Sequence, residues 1–170
     1  MRKTSVVLFI LLIFMIIITW FLSSKTGAES TRQSKLVAKY IENIVAENFI
    51  INRNDTFWRI TINHILRKVA HFLEYMIIGM LACAFLNELT RRVWVSAVVS
   101  IITCPLLAYI DEYIQTFAAG RTPRWFDVQI DTFGAIIGVL LTSGVYGLLF
   151  YIKSLRAKIR MLEEKNRTFK

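Results

Sequence analysis

Long stretches of this chain carry no charge at all: none falls between Ser5 and Ser24 (20 residues), Val93 and Ile110 (18) or Thr132 and Ile152 (21). At ~1.5 Å per residue, each run can cross a hydrocarbon core of about 30 Å with some help from its flanks. Cysteine is nearly as scarce. Cys83 and Cys104 are the only two, and neither has a neighbouring His or second Cys, which leaves them packing roles and excludes a disulfide framework or a thiolate metal site. No HExxH or other consensus metal spacing occurs, and no repeat, low-complexity tract or second domain is visible. Without a separate basic domain, the net charge of +9 reads as membrane contact rather than nucleic-acid binding.

What is abundant is apolar surface. Hydrophobic residues make up 55% of the 170 and the mean hydropathy is +0.50, the composition of an integral membrane protein. Three uncharged runs give three spans. A fourth, Val69 to Asn87, is as apolar as the others from Tyr75 onward, although His71 and Glu74 interrupt its start. The expectation is an all-α, four-transmembrane-helix bundle forming a single domain over 1–170, with spans about 5–24, 69–87, 93–115 and 126–152 and a basic tail over 153–170. The first span follows Arg2 and Lys3 like a signal peptide, but its apolar stretch exceeds the usual ~7 to 15 residues, so an uncleaved anchor is expected. Trp20, Phe21, Trp94, Trp125, Phe126 and Tyr151 fall at the span ends, where amphipathic rings prefer to sit.

Positive residues divide almost evenly, eleven on the side of the termini against ten on the other. The first helix and the residues flanking the spans decide orientation, while a long loop such as the 44 residues from Lys25 to Lys68 crosses despite its charges. Both termini are therefore expected inside the cell, with Lys153, Arg156, Lys158 and Arg160 against an anionic inner leaflet. Within the extracytoplasmic loop, Leu36, Val37, Tyr40, Ile41, Ile44, Val45 and Phe49 recur at helical spacing opposite Lys35, Lys39, Glu42, Asn43 and Glu47. That pattern predicts an amphipathic helix lying on the membrane or capping the bundle.

Six ionisable residues lie on these apolar segments: His71, Glu74, Asp111, Glu112, Asp127 and Asp131. An ionisable group in a bilayer is costly and normally faces a partner or a wet cavity. Alternation of the helices brings the start of the second span, the end of the third and the start of the fourth to one membrane face, whichever way the protein inserts. Residues three and four apart share a helix face. Arg67, His71, Glu74 and Tyr75 therefore form one stripe, Ala108, Asp111, Glu112 and Gln115 a second, and Asp127 and Asp131 a third. The third leads into Gly134, Ala135 and Gly138, a small-residue face of the GxxxG kind. Beyond the third span, Gly120, Arg121, Thr122 and Pro123 are turn formers that carry Arg121 over the mouth of the pocket.

The runs Arg67-Lys68-Val69-Ala70-His71-Phe72-Leu73-Glu74-Tyr75, Asp111-Glu112-Tyr113-Ile114-Gln115, Gly120-Arg121 and Asp127-Val128-Gln129-Ile130-Asp131, with Gly134-Ala135, Gly138 and Ser23-Ser24-Lys25, together resemble the VanZ-like family of small bacterial membrane proteins. That family often has Asn at the position of Asp131 and Gln at that of Lys25. The resemblance implies a cell-membrane protein linked to resistance to teicoplanin, a glycopeptide carrying a lipid chain.

Three roles are open for the polar residues. In an enzyme acting on a lipid-linked envelope molecule, Glu74 or Asp111 is the general base, His71 the acid or proton shuttle, and Arg121 the partner of an anionic group. A metal-assisted version takes ligands from His71, Glu74, Asp111, Glu112 and Asp127. In a binding protein for a lipoglycopeptide or a lipid-linked cell-wall precursor, Arg121, Arg124, Tyr75 and Trp125 make the contacts, with Arg67, Glu112, Gln115, Asp127 and Asp131 lining the site. In a purely structural arrangement, His71 pairs with Asp111, and Arg121 with Asp127 or Glu112. Membrane lipids are the remaining expected partner, and the residues single out no cofactor. Four spans without an inverted repeat carry little of a transporter's machinery.

Overall fold

The computed structural model describes residues 3–30, 32 and 56–168, and the expected amphipathic helix over 36–49 lies outside the described residues. Among the described residues, four helices are long and apolar enough to cross a membrane. They are α1 (Lys3–Ser23), α2 (Thr56–Thr90), α3 (Val93–Gln115) and α4 (Trp125–Thr168). No strand occurs among the described residues. Helices alone can satisfy their backbone groups within one segment in lipid, as an apolar chain of this kind requires.

Two helices outrun the expected spans. α2 begins at Thr56 rather than near 69, and α4 continues through the basic tail to Thr168 rather than ending near 152. An uncharged run marks the length in contact with lipid, whereas a helix ends only where propensity or a cap stops it. The tail, rich in Leu, Lys, Arg and Glu, contains no residue that would.

Beside Tyr75, Ile78 and Val139, the interior of the bundle is packed mainly with small and polar residues, and many large apolar side chains face outward. Phe9, Ile17, Ile102, Leu106, Leu140 and Leu148 are exposed on the outer faces, while Ser96, Ser100, Cys104 and Ala108 form a buried column along α3 at every fourth position. Lipid tails are as apolar as leucine, so helix association in a membrane depends on close packing rather than on burial of bulk. Packing is closest between α2 and α4, which share the most extensive interface. A Cβ added at Gly79 would run into the carbonyl oxygen of Ala135, one at Gly134 into that of Phe72, and one at Gly138 into that of Met76. These three glycines let the two backbones touch.

Antiparallel succession then fixes which ends meet. α2 turns into α3 through Arg91 and Arg92 alone. Arg91 takes the left-handed conformation, with φ 57°, its N–H donates to the Asn87 carbonyl at 3.0 Å, and its guanidinium reaches Glu88 at 3.2 Å. Thr4, near the start of α1, lies at this same end, its hydroxyl 3.4 Å from Glu88 Oε2. The end of α1, the entry half of α2, the end of α3 and the start of α4 therefore gather at the opposite end of the bundle.

Candidate functional site

At that opposite end the buried surface becomes ionisable. The column on α3 that begins with Ser96 finishes with Asp111, Glu112 and Gln115, all buried, and Asp111 is 0% exposed. On α4 the stripe that carries Gly134 and Gly138 begins one turn earlier with Asp131, itself 1% exposed. His71 and Glu74 on α2 are partly buried, with side chains 18% and 22% exposed.

Asp111 is the hub. Its Oδ2 accepts a hydrogen bond from the Ser23 hydroxyl at 2.9 Å and one from Gln115 Nε2 at 3.3 Å, so α1 and α3 are joined through one carboxylate oxygen. His71 Nδ1 stands 3.9 Å from that same oxygen and 3.9 Å from Glu74 Oε2, too far for a hydrogen bond to either. Asp131 completes the group: one donor atom each from His71, Asp111 and Asp131 lies within 4.8 Å of the others. Several of these atoms are buried without a hydrogen-bond partner, namely His71 Nδ1, Glu74 Oε2, Asp111 Oδ1 and Asp131 Oδ1.

Arg121 roofs the group as a consequence of the turn before it. Gly120 adopts φ 75°, and the Arg121 N–H closes onto the Ala118 carbonyl at 3.1 Å, the arrangement of a type II turn, whose third residue favours glycine. The segment after α1 is tied to this turn, the Gly27 N–H donating to the Ala119 carbonyl at 3.0 Å. The guanidinium then turns back to donate to Gln115 Oε1 at 2.9 Å and to the Leu22 carbonyl at 3.5 Å. Burial, and next the nearby Arg67, push its pKa below the ordinary value, but a guanidinium is basic enough to remain charged.

The partners differ from the expected pairing. Arg121 bonds Gln115 and a backbone carbonyl rather than Asp127 or Glu112. Asp127 is instead held by Lys68 at 3.0 Å, whose ammonium also sits 4.4 Å over the Phe126 ring. Glu112 Oε1 accepts the backbone N–H of Arg124, anchoring the residue just before α4. Two residues gain roles that their sequence context did not assign. Lys68 looks like an ordinary interfacial charge but closes an α2–α4 ion pair, and Ser23 enters only through the fold. The one sequence signal for Ser23 is its place in the Ser23-Ser24-Lys25 motif.

A narrow cleft of about 10 Å³, room for little more than one water-sized group, reaches this group, lined by Arg67, Lys68, His71, Gln115, Asp127 and Asp131 among others. Tyr75 lies deeper, 0% exposed in the core, and its hydroxyl is committed to the Leu107 carbonyl at 3.1 Å. Arg124 and Trp125 line a separate groove between α3 and α4 with Tyr109, Glu112 and Tyr113, about 210 Å³ in volume. Chemically, the first cleft presents Arg67 and Lys68 beside His71, Asp127 and Asp131. It can accept an anionic group at its rim and a cation or a proton donor at its base.

The family model described as VanZ/LLP1 matches residues 8–150, a span that reaches into all four apolar helices and contains every residue of the polar group. Neither curated proteins nor solved structures return a match to the chain. With its four apolar helices, the chain is a multi-pass membrane protein that belongs to the VanZ/LLP1 family.

Proposed function

We propose that this protein faces the cell envelope and protects the cell against a lipid-bearing glycopeptide of the teicoplanin type, with the polar cleft opening at the outer membrane face as its working site. The observation that carries the reading is the cluster of buried polar atoms without hydrogen-bond partners on His71, Glu74, Asp111 and Asp131, reached by a cleft with basic residues at its rim. Helix glue alone does not account for it. An interhelical hydrogen bond in a membrane is worth about 0.6 to 2 kcal/mol, and these atoms make none. Unpaired polar atoms at such a site are characteristic of groups held ready for a ligand. The outward direction is supported by the basic stretch Lys153, Arg156, Lys158 and Arg160 at the far end of α4, which suits an anionic inner leaflet.

Drug susceptibility of cells producing the chain tests the reading. The wild type is expected to raise tolerance to teicoplanin and not to vancomycin, which lacks the lipid chain. Glu74→Gln and Arg121→Ala, present in the membrane at wild-type amounts, are expected to return cells to the susceptibility of those lacking the protein. Protection against neither drug, or full protection by both variants, would refute it.

A further inference from the structure

The floor of the cleft has the makings of a metal site. His71, Asp111 and Asp131 come from three different helices, and one donor atom of each lies within 4.8 Å of the other two. The separation of 3.9 Å between His71 Nδ1 and Asp111 Oδ2 is too long for a hydrogen bond. It does, however, bring the Asp111 carboxylate within ligand spacing of the imidazole, since bonds of about 2.0–2.2 Å place neighbouring donors about 3–4.4 Å apart; Oδ2 itself is held by Ser23 and Gln115, which leaves Oδ1 as the ligand atom.

A second, independent observation points the same way. Asp111 and Asp131 are 0% and 1% exposed, and each keeps one oxygen, Oδ1, buried and without a partner. Among the described residues no Lys or Arg stands within salt-bridge distance of either carboxylate. Of the nearby bases, Lys68 is engaged on Asp127 and Arg121 on Gln115 and Leu22. Two buried carboxylates with no countercharge in contact are costly, and a bound cation would remove that cost. Asp111 is already oriented for the task. Ser23 and Gln115 both hold its Oδ2, the kind of supporting hydrogen bond that fixes a ligating carboxylate.

We propose that His71, Asp111 and Asp131 bind one divalent transition-metal ion, zinc by preference, with a further coordination position open to the cleft. One imidazole nitrogen and two carboxylate oxygens suit zinc better than magnesium or calcium, which favour all-oxygen sites. Three protein ligands with one open position is the pattern of zinc sites that act on a bound molecule rather than merely brace a fold. The donor set differs from the one that the sequence spacing suggests. Glu112 and Asp127 are tied to Arg124 and Lys68, and Asp131 takes their place. This goes beyond the resistance reading and stands without it, because binding is measured on the isolated protein.

The test uses the whole chain purified in detergent, stripped with a chelator and titrated with zinc in a calorimeter. The wild type is expected to take up one equivalent. His71→Gln and Asp131→Asn lose it, Ser23→Ala weakens it about tenfold through the freed Asp111 oxygen, and His64→Gln and Glu88→Gln retain it. X-ray absorption of the zinc-loaded wild type, which needs no substitution to fold, is expected to show one imidazole and otherwise oxygen ligands. The proposal is overturned by absence of uptake, by sulfur in the zinc shell, by an equivalent that survives in Asp131→Asn, or by its loss in His64→Gln.

Discussion

Gly138→Leu is expected to remove the assembled protein from the membrane. A Cβ at this position runs into the Met76 carbonyl oxygen and also crowds the Met80 backbone nitrogen, and neither obstacle is a side chain that can rotate away. Inserting extra carbons into a tight interface costs typically about 1–3 kcal/mol and more when backbone must shift. Here the shift separates α2 from α4, the pair with the most extensive interface. A Cβ at Gly144 or Gly147 meets nothing within 4 Å, and leucine at either position is expected to leave the amount of protein unchanged. Immunoblots of membrane fractions, with thermal unfolding of whatever is purified, check the contrast. Equal abundance of the Gly138 and Gly147 variants would mean that the close approach of α2 and α4 does not hold the bundle together.

Asp111→Asn is expected to have the opposite profile, keeping or raising stability while abolishing protection against teicoplanin. The Asn side-chain oxygen can still accept from Ser23 and Gln115, as Asp111 Oδ2 does now. Its NH2 group replaces Oδ1, an atom buried with no partner, and although it is no better paired it carries no charge, so the larger cost of burying an ionised carboxylate without a contacting cation is removed. A residue kept only as glue would have no reason to bear that cost. One kept for a ligand would, in the manner of sites that give up stability for function. Unfolding midpoints and drug susceptibility measured on the same variant separate the two roles. A fall in midpoint that accounts for the lost protection would assign Asp111 to structure.

The sequence revealed the architecture through its uncharged runs and the polar face through spacing. Three- and four-residue steps place Asp111, Glu112 and Gln115 on one side of α3, and all are buried there. The small residues Gly134, Ala135 and Gly138 likewise lie on the buried face of α4. What the sequence could not reveal depends on how the helices rotate against one another. Lys68 and Asp127 are 59 residues apart, and whether an interfacial lysine meets that carboxylate or solvent is set by the glycine contacts between α2 and α4. Ser23 reaches Asp111 across 88 residues from a helix whose own interior contains no ionisable group. Arg121 depends on a turn whose sharpness follows from Gly120, but its choice of Gln115 over the carboxylates follows from where α3 ends.

All of this has a bearing on an envelope drug only if the cleft opens outward. Labelling of intact cells with a membrane-impermeant maleimide tests that most directly. Native Cys83 and Cys104 are buried, so cysteines introduced at exposed Thr122, beside the cleft mouth, and at exposed Lys158, in the tail, report alone. The two positions are separated by most of α4, on the order of 50 Å. Thr122→Cys is expected to label on intact cells and Lys158→Cys only after the membrane is opened. Labelling of Lys158→Cys from outside, with Thr122→Cys protected, would place the cleft in the cytoplasm and contradict the account.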